Sequence, residues 1–139
     1  MECVLASAVA RNVPANLLLA IGQHEAGKEG SAILNTNGSF DLGRTGINTV
    51  HLDELVSYGV ERKVAAFYLK NDGCYNYDMS AFLIQRHLAN CKYGFWRCAA
   101  NYHSKTLRFN QIYQSKIIPL AVAWGRYLSE RYTVKDVTQ

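Results

Sequence analysis

At 139 residues, with 49% hydrophobic and 19% charged residues, the chain has the balance of one globular domain with a full core (residues 1–139) and is too short to suggest two. Its net charge of +4 suits an anionic polymer without demanding one. No run of Lys and Arg points to nucleic acid, and no apolar stretch is long enough to span a bilayer.

The first predicted element is an Ala- and Val-rich helix from Cys3 to Arg11. Asn12-Val13-Pro14 ends it and opens a second helix with Pro14 in its first turn. That helix carries Leu17-Leu18-Leu19-Ala20-Ile21 and then Glu25, and Gly27 and Gly30 are expected to terminate it. The polar stretch Asn35 to Gly43, with Asn37-Gly38 as its turn signal, reads as a small hairpin or irregular β-loop. Short helices follow over His51–Tyr58, stopped by Gly59, and over Glu61–Lys70, stopped by Asn71-Asp72-Gly73. Another runs from Met79 to Asn90, and Trp96–His103 is expected to be helical after a turn. The last helix spans about Arg108 to Tyr132, with Pro119 expected to kink or divide it. The fold class is therefore mainly α, with a small β-loop beside the second helix.

Cys3, Cys74, Cys91 and Cys98 form no CxxC pair, so nothing points to a zinc site. Two disulfides fit better and imply an oxidising compartment; buried free thiols are the alternative. Of the three possible connectivities, the favoured one joins Cys3 to Cys74, tying the first helix to a mid-chain loop, and closes a short loop with Cys91–Cys98. The opening Met1-Glu2-Cys3 contains no signal peptide and reads as a start residue set directly before a mature, exported sequence.

Glu25 is the residue with the most to explain. Ile21 and Leu18 precede it by four and seven residues, so it falls on a stripe of core residues. A carboxylate there is costly unless it is paired, protonated or needed. Apolar surroundings and the negative end of its helix dipole both favour the protonated form, which suits a general acid. The structural alternative is a buried Glu satisfied by an Arg or a backbone amide. Asp41 follows 16 residues later, in the polar loop that must fold back towards the helix end. An acid on a helix facing a carboxylate on a β-loop is a layout that cleaves glycosidic bonds, although Asp41 also reads as an Asx-type turn residue.

The run Val13-Pro14, Leu17-Leu18-Leu19-Ala20-Ile21, Glu25-Ala26-Gly27, Asn35-Thr36-Asn37-Gly38-Ser39, Asp41-Leu42-Gly43, Ile47-Asn48 resembles the soluble lytic transglycosylase family. The later Ala99-Ala100-Asn101-Tyr102-His103-Ser104 and Tyr113 resemble its downstream Tyr-containing turn and Tyr-bearing helix. The resemblance covers about residues 3–118 and is nearest to the small specialised members that accompany type IV pili, type III secretion and conjugation machines. It implies a lysozyme-like fold and cleavage of the β-1,4 bond between N-acetylmuramic acid and N-acetylglucosamine. Glu25 would be the acid and then the base that forms a 1,6-anhydro product, with no metal or organic cofactor. Asp41 matches an Asp that some specialised members use. Tyr102 would hold the Glu25 carboxyl, and Gly43, Thr45, Asn48, Tyr102, Ser104 and Tyr113 would line the sugar groove. The implied partners are peptidoglycan strands and a pilus, conjugation or secretion-system component, and the implied state is a periplasmic monomer.

Two departures stand out. Ala26 replaces the family's usual Ser after the acid, and Gly43-Arg44-Thr45-Gly46-Ile47-Asn48 replaces Gly-Leu-Met-Gln-Ile-Asn, which removes a Gln contact near the scissile sugar. These departures favour a non-catalytic peptidoglycan-binding assembly factor as one rival; a hydrolytic muramidase of the same fold is the other. Elsewhere, His24 reads as a polar rim residue and His103 as a turn former, and His51 and His87 are too scattered for a metal site. Tyr93 and Trp96 are candidates for the groove edge. Trp124, four residues from both Leu120 and Leu128, reads as core, and Arg126–Lys135 as a solvated helix end.

Overall fold

Seven α-helices and a three-stranded antiparallel sheet build the chain in a computed structural model that describes residues 1–132. The helices are α1 (Glu2–Ala10), α2 (Ala15–Glu25), α3 (Leu52–Ser57), α4 (Arg62–Asn71), α5 (Gly73–Ala89), α6 (Phe95–Ala99) and α7 (Leu107–Ser129). The strands β1 (Ala32–Leu34), β2 (Phe40–Leu42) and β3 (Ile47–Asn48) lie in sequence order between α2 and α3. Short 3₁₀ turns cover Thr49–His51 and Ala100–Tyr102. The fold is thus mainly α with a small sheet following the second helix, as the sequence pattern predicts.

α2 is the central element. Every residue from Ala15 to Gly22 is buried, which suits a helix that is apolar on all sides rather than along one stripe. Pro14 stands at its N-cap rather than in its first turn, with φ −64° already set for helix entry. α7 packs along α2, and the Asn16 side-chain amide reaches across to donate to the Ala121 carbonyl at 3.0 Å.

Two apolar clusters divide the interior. One gathers Val4, Leu17, Leu18, Ile21, Ile84 and Ile117 between α1, α2, α5 and α7. The other joins the sheet residues Leu42 and Ile47 to Leu52, Leu55, Leu69 and Leu83 on α3, α4 and α5. Helix α5 serves both, because Leu83 and Ile84 point to different clusters, and Tyr102 packs against both at the seam. That seam is where α2 emerges from the core and presents Glu25.

Two element boundaries and the place of one proline differ from the sequence reading. α2 ends at Glu25 with Ala26, not glycine, in the left-handed region at φ +50°. α5 begins at Gly73, six residues before Met79, because Asp72 caps it by accepting from the Tyr75 N–H at 3.0 Å. The Asn71-Asp72-Gly73 signal therefore marks a junction between helices, not a loop. Pro119 lies inside an undivided α7 on an exposed face. Of the expected solvated end, Arg126–Ser129 close α7, while residues 133–135 lie outside the described residues.

The favoured cysteine pairing is present. Cys3–Cys74 ties α1 to the first turn of α5, and Cys91–Cys98 closes the turn into α6, each with Cα atoms 5.6 Å apart. Arg11 and Asp78 reinforce the first link with two contacts of 3.2 and 2.8 Å. No described helix is long and apolar enough to cross a membrane.

Candidate active site

Glu25 leaves the core at the last turn of α2, half-buried, and its Oε1 accepts a hydrogen bond from the Tyr113 hydroxyl at 2.7 Å. Tyr113 is held firmly: it is 2% exposed on α7, His103 stacks on its ring at 4.8 Å, and His24 meets it edge-on at 5.1 Å. Burial pushes the Glu25 carboxyl above its ordinary value, and Asp41 adds to the effect by like-charge repulsion. The Tyr113 hydrogen bond and the positive potential of His24 and His103 pull the other way without overcoming burial. Burial and the adjacent Glu25 push the Tyr113 phenol far upward, so it stays a donor. A carboxyl group raised above its ordinary range and held in a fixed orientation suits the chemistry of a general acid.

The sheet supplies the facing wall. The 35–39 turn is closed by the Asn35 N–H donating to the Ser39 carbonyl at 2.8 Å, and Asn37 Oδ1 accepts from the Ser39 N–H and hydroxyl at 3.0 and 2.7 Å. Asp41 lies in the middle of β2, opposite Asn48 of β3 and Ile33 of β1. Asn48 Nδ2 donates to Asp41 Oδ1 at 2.8 Å and to Ser39 Oγ at 2.9 Å. Its Oδ1 accepts from the Val50 N–H at 3.0 Å. The amide is therefore fixed by its own 3₁₀ turn and orients the Asp41 carboxylate. Asp41 sits within a ladder rather than capping a turn, so the Asx-turn reading does not describe it. Between these walls lies a cleft of about 250 Å³, lined by Glu25, Asp41, Ser39, Asn48, Tyr102 and His103 among others.

The 43–46 loop carries the floor. Gly43 has φ +66°, and a Cβ there would fall 2.2 Å from the Leu69 carbonyl oxygen, so only glycine fits. Gly46, at φ +62°, borders the cleft, and a Cβ there would stand 3.3 Å from Glu25 Oε2. Thr45 between them is fully buried, and its N–H and hydroxyl donate to Asn76 Oδ1 at 2.9 and 2.7 Å. Asn76 Nδ2 in turn donates to the Leu42 and Leu69 carbonyls, each at 2.9 Å. One buried amide thus pins the loop to β2, α4 and α5.

Several residues expected in the groove have other duties. Tyr102 does not hold the Glu25 carboxyl; its hydroxyl donates to the Thr45 carbonyl at 2.9 Å, and the contact with Glu25 belongs to Tyr113. Tyr102 still lines the cleft, whereas Tyr113 reaches it only through Glu25. Gly43 and Thr45 face the interior, and the Ser104 hydroxyl accepts from the Thr106 N–H at 3.1 Å while its carbonyl accepts from Asn110 Nδ2 at 3.0 Å. None of these three lines the cleft. Tyr93 and Trp96 are also absent from it: Tyr93 lies under Arg97, 3.4 Å from its ring centre, beside a separate cavity, and Trp96 packs on the core. Trp124 packs on the core too, with its indole N–H donating to Gln23 at 2.8 Å. Ala26 lines a different groove, so the residue after Glu25 does not border the acid's cleft.

Sequence reasoning missed Asn76 and Asn110. Asn110 shares its amide hydrogens among the Arg97, Ser104 and Asn101 oxygens at 2.9 to 3.0 Å, which fixes the turn that carries Tyr102 and His103. In the sequence Asn110 is marked only as a polar residue inside the predicted last helix, and Asn76 falls before the predicted Met79–Asn90 helix and carries no signal. Among the described residues, no three His, Cys, Asp or Glu side chains gather as a metal site. No family model matches the sequence, and neither does any curated protein.

Proposed function

We propose that the protein is a peptidoglycan lytic transglycosylase of lysozyme-like fold that works in the periplasm and opens the wall locally for an envelope-spanning pilus, conjugation or secretion machine. The observation that carries this reading is the half-buried Glu25, fixed by Tyr113, lining the same cleft as Asp41. The two disulfides suit an oxidising compartment. The order of motifs that resembles the soluble lytic transglycosylases supplies the substrate class.

In this mechanism the Glu25 carboxyl gives its proton to the glycosidic oxygen as the C1–O bond of the muramoyl residue breaks. The Asp41 carboxylate, oriented by Asn48, stabilises the positive charge that develops on the ring. The muramoyl C6 hydroxyl then bonds to C1 and releases its proton to the Glu25 carboxylate. The acid is regenerated, the anhydro sugar forms, and no water is consumed.

Digestion of purified sacculi, followed by mass spectrometry, tests the reading. Wild type should release muropeptides lighter by one water than hydrolytic products, and Glu25→Gln should release none. Products without that mass deficit would make the protein a hydrolytic muramidase. Equal release by both proteins would remove Glu25 from the chemistry, and no release by wild type would leave a binding or assembly role.

A further inference from the structure

Two residues of the cleft, His51 and Leu83, also form a wall of an adjoining cavity of about 320 Å³. Its remaining lining is Glu54, Arg86, His87, Asn90 and Lys105. Glu54 and Arg86 pair with each other and cancel. Lys105 forms no ion pair among the described residues, so it leaves one unmatched positive charge. Asn90 Nδ2 is occupied by the Arg86 carbonyl. Burial lowers the His51 imidazole below its ordinary value, helped by Arg86. It brings His87 down to about 4, helped by Lys105, His51 and Arg86. Both rings are therefore neutral near pH 7, and both sense a positive potential in this space.

We propose that this cavity is a specificity pocket that receives a carboxylate borne by a substituent of the glycan lying across Glu25 and Asp41. The inference rests on the glycan-cleaving reading of the cleft and extends it from the sugar chain to the groups the chain carries. An uncharged sugar ring gains nothing from an unmatched lysine, whereas a carboxylate meets Lys105 through a charge-assisted contact. Each muramoyl residue has two sources of that group: the acidic residues of its peptide stem or, where the peptide is missing, its own lactyl group.

The test uses muramoyl-containing glycan oligomers in three forms: peptide-free, carrying an L-Ala-D-Glu stem, and carrying the same stem with its carboxylates amidated. Wild type should cleave the acidic stem form with kcat/KM about tenfold above the amidated form, the scale of one charge-assisted contact. In Lys105→Glu, an exposed substitution, that ratio should collapse to about one. A preference for the peptide-free form over the amidated one would assign the carboxylate to the lactyl group. Equal cleavage of all three forms by wild type, or an unchanged ratio in Lys105→Glu, would overturn the pocket and leave the cleavage reading intact. Failure of wild type to cleave any form would overturn the functional reading itself.

Discussion

Glu25 and Tyr113 form a pair whose two members can be separated by experiment. The Tyr113 hydrogen bond favours the ionised acid, so Tyr113→Phe should raise the Glu25 pKa further. If Glu25 is the acid, the alkaline limb of the pH–kcat/KM profile should move to higher pH; an unmoved limb would detach that limb from Glu25. Tyr102→Phe removes a donor to Thr45 instead and should leave the limb where it is. Linkage gives a check that needs no substrate. Glu25 is raised in the folded state, so its contribution is full below the ordinary value of 4.5 and is lost as pH rises through the folded value. Glu25→Gln cannot ionise. Its Tm relative to wild type should therefore rise from acid towards neutral pH, and a flat difference would mean that the carboxyl is unperturbed. On the opposite wall, Asp41→Asn keeps the shape and loses the charge. Activity should drop about 100-fold or more at unchanged stability if the carboxylate stabilises the sugar cation.

Much of the element order was legible because its signals are local: Asn37-Gly38 for the hairpin, Pro14 before α2, and apolar runs too dense for a surface helix. The placement of Glu25 and Asp41 beside one cleft was legible as well, because a carboxylate at the end of a buried helix and a second in the following loop are conspicuous in sequence. What could not be read was which polar side chains hold the loops. Asn71-Asp72-Gly73 looks like a loop until the Asp72 side chain is seen capping α5, and that misreading left Asn76 outside any helix. Tyr102 and Tyr113 look interchangeable in sequence, since which hydroxyl reaches Glu25 depends on how α7 packs against α2. Asn76 has the larger consequence for stability. Asn76→Ala would strand the Leu42 and Leu69 carbonyls and the Thr45 N–H and hydroxyl in the interior. The expected loss is about 3–4 kcal/mol, read as a lower urea midpoint. A loss below about 1 kcal/mol would mean that solvent reaches the loop and that the amide does not fix it.

Across the whole molecule, the two apolar clusters meet at α5 and Tyr102, and the disulfides lie at the two ends of α5, one in its first turn and one just beyond its end. Their loops differ greatly, with sequence separations of 71 for Cys3–Cys74 and 7 for Cys91–Cys98. If each bridge acts by restricting the unfolded chain, the longer loop stabilises by about 4 kcal/mol and the shorter by about 2 kcal/mol. The long loop holds α2, the sheet, α3 and α4, and with them Glu25, Asp41 and Asn48. Loss of that bridge alone would consume much of the 5–15 kcal/mol typical of a domain. Denaturant titration of Cys3→Ser/Cys74→Ser and Cys91→Ser/Cys98→Ser should therefore rank the first pair clearly below the second at comparable slopes. The short bridge lies beside α6, which leads through the Ala100–Tyr102 turn to His103 and the Tyr113 stack. Its removal should disturb activity more than its small stability loss suggests, whereas the long bridge should cost stability first. Equal stability losses in the two double variants would mean that loop closure is not how these bridges act.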